Sequence, residues 1–294
     1  MTPLGTDREA VPDMPNRLGL NGIEFIEYAT TRPQALGHVL ETMGFKPIAR
    51  HRSREVMLYR QGGMNLIINA HSEDARVSAL VDEKPVISAV AFRVKDALRA
   101  HTRCVELGAW PVPSHAQAME LHIPAIHGPG GSRIYLVDRW TEFSIYDIDF
   151  KPIPGVDQHP PALAGLDYFG LVQYVDPGRS EDWISYYETM FDFSTVPEDQ
   201  RYGILPKGKV LKSPCGQFMW QLIEPDPWME SDRAPENLER IGLGTPDVGQ
   251  AVALLKSRGV EFIETSSLHP EDRGALTRRE LGSVSFELVH RTGD

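Results

Sequence analysis

The chain has 294 residues, 41% of them hydrophobic and 24% charged, with a formal net charge of −11. That is globular composition, long enough for one large domain or two of moderate size, and no apolar run approaches the roughly 20 residues that cross a bilayer. Acidity without a Lys/Arg cluster argues against nucleic acid or an anionic membrane as partner. Cys104 and Cys215 stand far apart, outside any metal-like spacing, which fits a reducing cytoplasm.

Residues 1–18 are polar and Pro-rich, without an apolar h-region, and are expected to form a flexible arm and not a leader. One pattern then recurs four times: a strand, a helix ending in a chain reversal, and further strands. The first pass runs through NGIEFIEYATT, a helix in RPQALGHVLETMGF and the strands of IARHRSREVMLYRQGGMNLIINA. Leu36, Leu40 and Met43 share one helix face, Gly44 is placed to end that helix, and Gln61-Gly62-Gly63 signals a hairpin.

The second pass is VISAVAFRV, KDALRAHTRCVELGAW, MELHIPAI and SRIYLVDRW. KPIPGVDQHPPALAG follows, and its Pro152, Pro154, Pro160 and Pro161 suit neither a helix interior nor a central strand. The third pass is AGLDYFGLVQYV, SEDWISYYETMFDF and a β-rich stretch ending in CGQFMWQLIEP; the fourth is ENLERIGLGT, PDVGQAVALLKSRGVEF and TRRELGSVSFELVHR. Gly occurs at three of the four reversals, and Asp192 takes the fourth.

This order predicts an α+β chain of four βαβββ modules: a domain over 19–150, a linker over 151–164 and a domain over 165–294. Paired modules make cupped half-barrel sheets with helices outside and a concave face able to hold a ligand. The architecture resembles the vicinal oxygen chelate superfamily. GIEFIEYAT, MGFKPIARHRSREVMLYRQGGMNLIIN, AFRVKDALRAHTRCVELGAW and IYLVDRW resemble bacterial 4-hydroxyphenylpyruvate dioxygenase almost in register; LDYFGLVQY, ERIGLGT and SFELVHRTGD do so more weakly.

The resemblance implies an Fe(II) site of two His and one Glu in the second half, open to a 2-oxo acid and dioxygen. Carried onto this chain, the first His position falls at Tyr168, the second at Arg240 and the Glu at Glu287. A guanidinium has no lone pair to give a metal and stays charged, and a neutral phenol is a weak ligand. The relatives also continue into a GFG segment and a closing helix where this chain stops at HRTGD, so a frame without its lid is expected.

On this reading Arg240 pairs with Glu287, and Tyr168, Gln221, Arg240 and Glu287 line a polar floor suited to a small acid or hydroxylated aromatic, with no cofactor expected. Gln221 enters as the third module's counterpart of Glu287 and is expected to face the cup, Trp220 the helix. Two alternatives stand beside it: a metal-dependent dioxygenase holding Fe(II) through other ligands, and a non-catalytic partner protein. For relocated ligands the sequence offers His115, His122 and His127, with Glu24 on the first module's opening strand, and His269 and His290 in the fourth module. His122 and His127 are five apart and fall on opposite faces of a strand, and His290 faces away from Glu287. Trp183, Tyr186 and Tyr187 read as helix packing, and Trp228 as a cover for the pocket mouth. A homodimer is compatible with such halves.

Overall fold

The computed structural model describes residues 15–70, 84–113, 121–141, 143–197, 208–224, 236–263 and 274–291. In the first module β1 (Ile23–Ala29) is buried along its whole length, as a central strand covered on both faces must be. α1 (Pro33–Thr42) begins on a proline, which has no N–H to leave unpaired, and buries Leu36 and Leu40. β2 (Lys46–His51), β3 (Val56–Gln61) and β4 (Met64–Asn69) follow, with Gly62-Gly63 turning β3 into β4.

The second module is β5 (Val86–Arg93), α2 (Ala97–Glu106), β6 (Ala125–His127) and β7 (Arg133–Val137). A short helix, α3 (Ile145–Asp149), and an edge strand, β8 (Phe150–Pro152), close the first half. The third module comprises β9 (Asp167–Tyr174), α4 (Ser180–Phe191), β10 (Ser194–Thr195), β11 (Lys209–Lys212) and β12 (Met219–Ile223). The fourth is β13 (Asn237–Thr245), α5 (Val248–Ser257), β14 (Gly274–Leu276) and β15 (Phe286–His290). In the second and fourth modules the first strand after the helix is reduced to one bridge, Pro111 to Ile126 and Phe262 to Thr277.

The strands form two open sheets, ordered β6-β7-β5-β1-β4-β3-β2-β8 and β10-β11-β12-β9-β13-β15-β14. Each has an antiparallel pair at its centre, β1 with β5 and β9 with β13, flanked by parallel pairs. The expected α+β architecture of two cupped sheets is the one found. The four reversals also behave alike. Gly44, Gly108 and Gly259 have φ of 101°, 101° and 98°, and Asp192 takes the left-handed conformation at 57°.

Helices and sheets share one core, and aromatic rings join the halves inside it. Phe92 of β5 stacks on Phe218 at 5.3 Å and meets Phe191 and Trp220 edge-on at 5.3 and 6.0 Å. Fully burying one such ring contributes roughly 1.5–3 kcal/mol. A second cluster, around Phe25, Leu58, Ile67 and Phe150, lies within the first cup, beneath α3.

Two segments are more firmly held than their composition implied. Of the supposed arm, residues 1–14 lie outside the described residues, but Leu18 is buried, and Arg17 donates to the Asp192 carboxylate from its backbone N–H at 2.7 Å and from Nη1 at 3.0 Å. The Pro-rich connection is tied to the first sheet, because its carbonyls and side chains supply partners that proline nitrogen cannot. β8 pairs with β2, Gly62 N–H donates to the Pro160 carbonyl, and Gln158 Nε2 donates to the Ile48 carbonyl. Among the described residues no helix is long and apolar enough to cross a membrane.

Candidate functional site

The concave face of the second sheet is set by register. Gly242 of β13 sits between Gly170 of β9 and Glu287 of β15, and Arg240 opposite Val172, which in turn opposes Gln221. Strand alternation therefore puts Arg240, Gln221 and Glu287 on one face. The small cavity there, about 20 Å³, is lined by Phe169, Val172, Met219, Gln221, Gly242 and Glu287 among others. Trp220, the neighbour of Gln221, is fully buried on the helix side against Tyr187.

Arg240 and Glu287 are both almost completely buried, and Arg240 Nε donates to Glu287 Oε2 at 3.2 Å. Arg240 Nη2 is also buried and has no hydrogen-bond acceptor among the described residues. Removing a guanidinium from water is costly, so an unspent donor in a buried fork is a strong demand for an anion or a carbonyl.

Tyr168 does not join these three. Between Gly242 and Leu243 the ladder advances one residue on β13 but two on β9, from Gly170 to Tyr168, so Phe169 is the extra residue of a bulge. Phe169 turns into the cup and Tyr168 into the shared core, where its hydroxyl donates to the Asn65 carbonyl of the first half. A Cβ on Gly170 would lie 1.9 Å from the Met219 carbonyl oxygen, so this approach of β9 to β12 requires glycine. Burial first, then the Glu24 carboxylate, pushes the Tyr168 hydroxyl well above its ordinary range, which keeps it a neutral phenol. Nothing in the residue types of LDYFGLVQY marks this bulge.

The other candidates are scattered. Glu24 is buried and paired with Arg93 at 2.6 Å. His122 is exposed at the rim of the first cup, and His127 and His290 are exposed on β6 and β15. His115, His269 and Trp228 lie outside the described residues. Trp183, Tyr186 and Tyr187 pack as a ring cluster on α4. Among the described residues no three His, Cys, Asp or Glu side chains gather as a metal site.

Two open sheets, each assembled from a pair of modules around an antiparallel centre, define a vicinal-oxygen-chelate protein. Residues 14–151 match the family model for the N-terminal domain of hydroxyphenylpyruvate dioxygenase (HPPD). A 4-hydroxyphenylpyruvate dioxygenase of Pseudomonas sp. (strain P.J. 874) is 44% identical over 328 residues, covering 95% of this chain and 91% of that protein. Of solved structures, a xylose isomerase-like TIM barrel/4-hydroxyphenylpyruvate dioxygenase fusion protein matches 96% of this chain with a TM-score of 0.76 and 25% identity; the chain spans 51% of it. A mutant 4-hydroxymandelate synthase from Streptomyces coelicolor shares the fold, with a TM-score of 0.73, 19% identity and 94% coverage of both chains. The chain belongs to the 4-hydroxyphenylpyruvate dioxygenase family.

Proposed function

We propose that this family member does not hold Fe(II) at the three positions corresponding to the family's ligands, and that its second cup binds a small acidic or aromatic molecule through Arg240. The observation that carries the reading is the buried Arg240–Glu287 pair. Its carboxylate already neutralises a guanidinium, and a dication beside Arg240 would meet a fixed like charge. The third position offers a neutral phenol turned into the core. These side chains do not fit a ferrous site.

What the face supports instead is recognition of an anion. Arg240 Nη2 supplies a buried donor with no acceptor among the described residues, and Gln221, which lines the small cavity where Arg240 does not, adds an amide on the same face. The cavity of about 20 Å³ has room for about one water-sized group, so a ligand would reach this floor with one oxygen of its charged end and keep its ring outside.

Iron analysis after anaerobic reconstitution, alongside thermal melts with 4-hydroxyphenylpyruvate, tests both parts. The expected results are no iron above background and a rise in Tm that is lost when Arg240→Met and Glu287→Leu are combined. Stoichiometric iron that disappears in Glu287→Ala would instead restore an iron dioxygenase that holds the metal through Glu287 and other ligands.

A further inference from the structure

A cavity of about 180 Å³ lies in the first cup and shares no lining residue with the second. Register relates the two floors. Strands β7-β5-β1-β4 repeat the pairing senses of β15-β13-β9-β12. Aligning the paired residues puts Arg133 in the row position of Glu287, Ala89 in that of Gly242 and Glu27 in that of Gly170; Asn69 then corresponds to Gln221. The first cup therefore carries a guanidinium and a carboxylate in one floor row, two strands apart. The residue between them in that row is Ala89.

The neighbouring row is aromatic. Phe25 and Tyr135 flank the fully buried Ala91, their ring centroids 5.7 Å apart. Ile145 of α3 and Phe150 line the same cavity as a further apolar wall, with His51 edge-on to Phe150 at 5.3 Å. Glu27 is 8% exposed, and its Oε1 accepts from Ser88 Oγ at 2.8 Å and Asn69 Nδ2 at 3.3 Å. Asp149, the other acid in the lining, accepts from the Leu121 N–H at 3.3 and 3.2 Å. Arg133 and Arg54 bring two guanidiniums to the same space.

We infer that the first cup is a binding site for a small aromatic carboxylate. Apolar cavities of about 150 Å³ take a benzene ring, so this one has room for a single ring with a carboxylate attached. The ring packs against the Phe25–Tyr135 row and the Ile145–Phe150 wall. The carboxylate meets the Arg133 fork, a bidentate geometry that guanidinium provides and ammonium does not. A hydroxyl on the ring donates to Glu27. This site is separate from the second cup and does not depend on how that cup is used.

Calorimetric titration of the whole chain with benzoate and 4-hydroxybenzoate tests the assignment, with benzamide as the uncharged control. The expected result is saturable binding that benzamide does not reproduce, weakened at least tenfold by Arg133→Met and unchanged by Gln221→Leu. Should circular dichroism show Arg133→Met to be unfolded, Arg133→Lys takes its place with the same expected loss, because an ammonium keeps the charge without the fork. Absence of saturable binding, equal binding of benzamide, undiminished binding in the guanidinium variant, or loss in Gln221→Leu would each overturn the proposal.

Discussion

Arg240 and Glu287 lie on adjacent parallel strands, β13 and β15, two residues out of register, and their side chains close that offset with a buried Nε–Oε2 contact of 3.2 Å. Glu287 stands directly opposite Gly242, which has no side chain to obstruct the reach. The pair occupies the face on which the resemblance to iron dioxygenases would place the metal ligands. Its energetics therefore bear on both stability and function.

Losing one partner leaves the other charge buried without compensation. Arg240→Met is expected to destabilise the protein by about 3–5 kcal/mol, whereas combining it with Glu287→Leu recovers most of that loss, because two apolar groups replace the pair. Urea denaturation of the wild type, both single variants and the double variant measures the coupling. Additive losses would mean that the two charges do not depend on one another.

Tyr168 tests the bulge. If its hydroxyl serves the contact with Asn65 and not the cup, Tyr168→Phe costs about 1–2 kcal/mol through the unpaired carbonyl and leaves the ligand-induced rise in Tm unchanged. A lost thermal response with unaltered stability would return Tyr168 to the binding face.

Much of this was legible in the chain. The four repeats located every central strand and all four long helices, because apolar spacing and terminal glycines are local signals. Alternation put Gln221 and Trp220 on opposite faces, and the correspondence of Gln221 with Glu287 chose it for the cup. The position of Tyr168 was not legible, since a bulge changes alternation without changing residue type, and Phe169 is as apolar as a core residue. Nor was the cavity of the first cup. Glu27, Ala89 and Arg133 come from three separate strands, and only the register between β1, β5 and β7 brings them into one row.

Asp192 offers a direct test of the repeat. It holds φ of 57° where the other modules use glycine, and its carboxylate anchors Arg17. Asp192→Ala loses both the tolerance for that conformation and the anchor, and should cost about 2 kcal/mol. Asp192→Asn keeps the tolerance and one acceptor and should cost least, with Asp192→Gly between them. The order of the three denaturation midpoints is the readout; alanine equal to asparagine would show that backbone conformation contributes nothing at this reversal.

Glu24 gives the chain a pH dependence whose sign is fixed by burial. Desolvation is the largest influence and raises its carboxyl above the ordinary 4.5, against the opposing attraction of Arg93 2.6 Å away. The folded state thus binds this proton more tightly than the unfolded chain does. Its contribution to stability is fully present below the unfolded value and is lost as pH rises through the folded one. The stability of the wild type relative to Glu24→Gln should therefore decline as pH rises from about 4 towards 7, with most of the change above the unfolded carboxyl range. Urea denaturation of both proteins across that interval gives the comparison. A relative stability that grows with pH would mean that Arg93 outweighs burial and that Glu24 is held in its charged form.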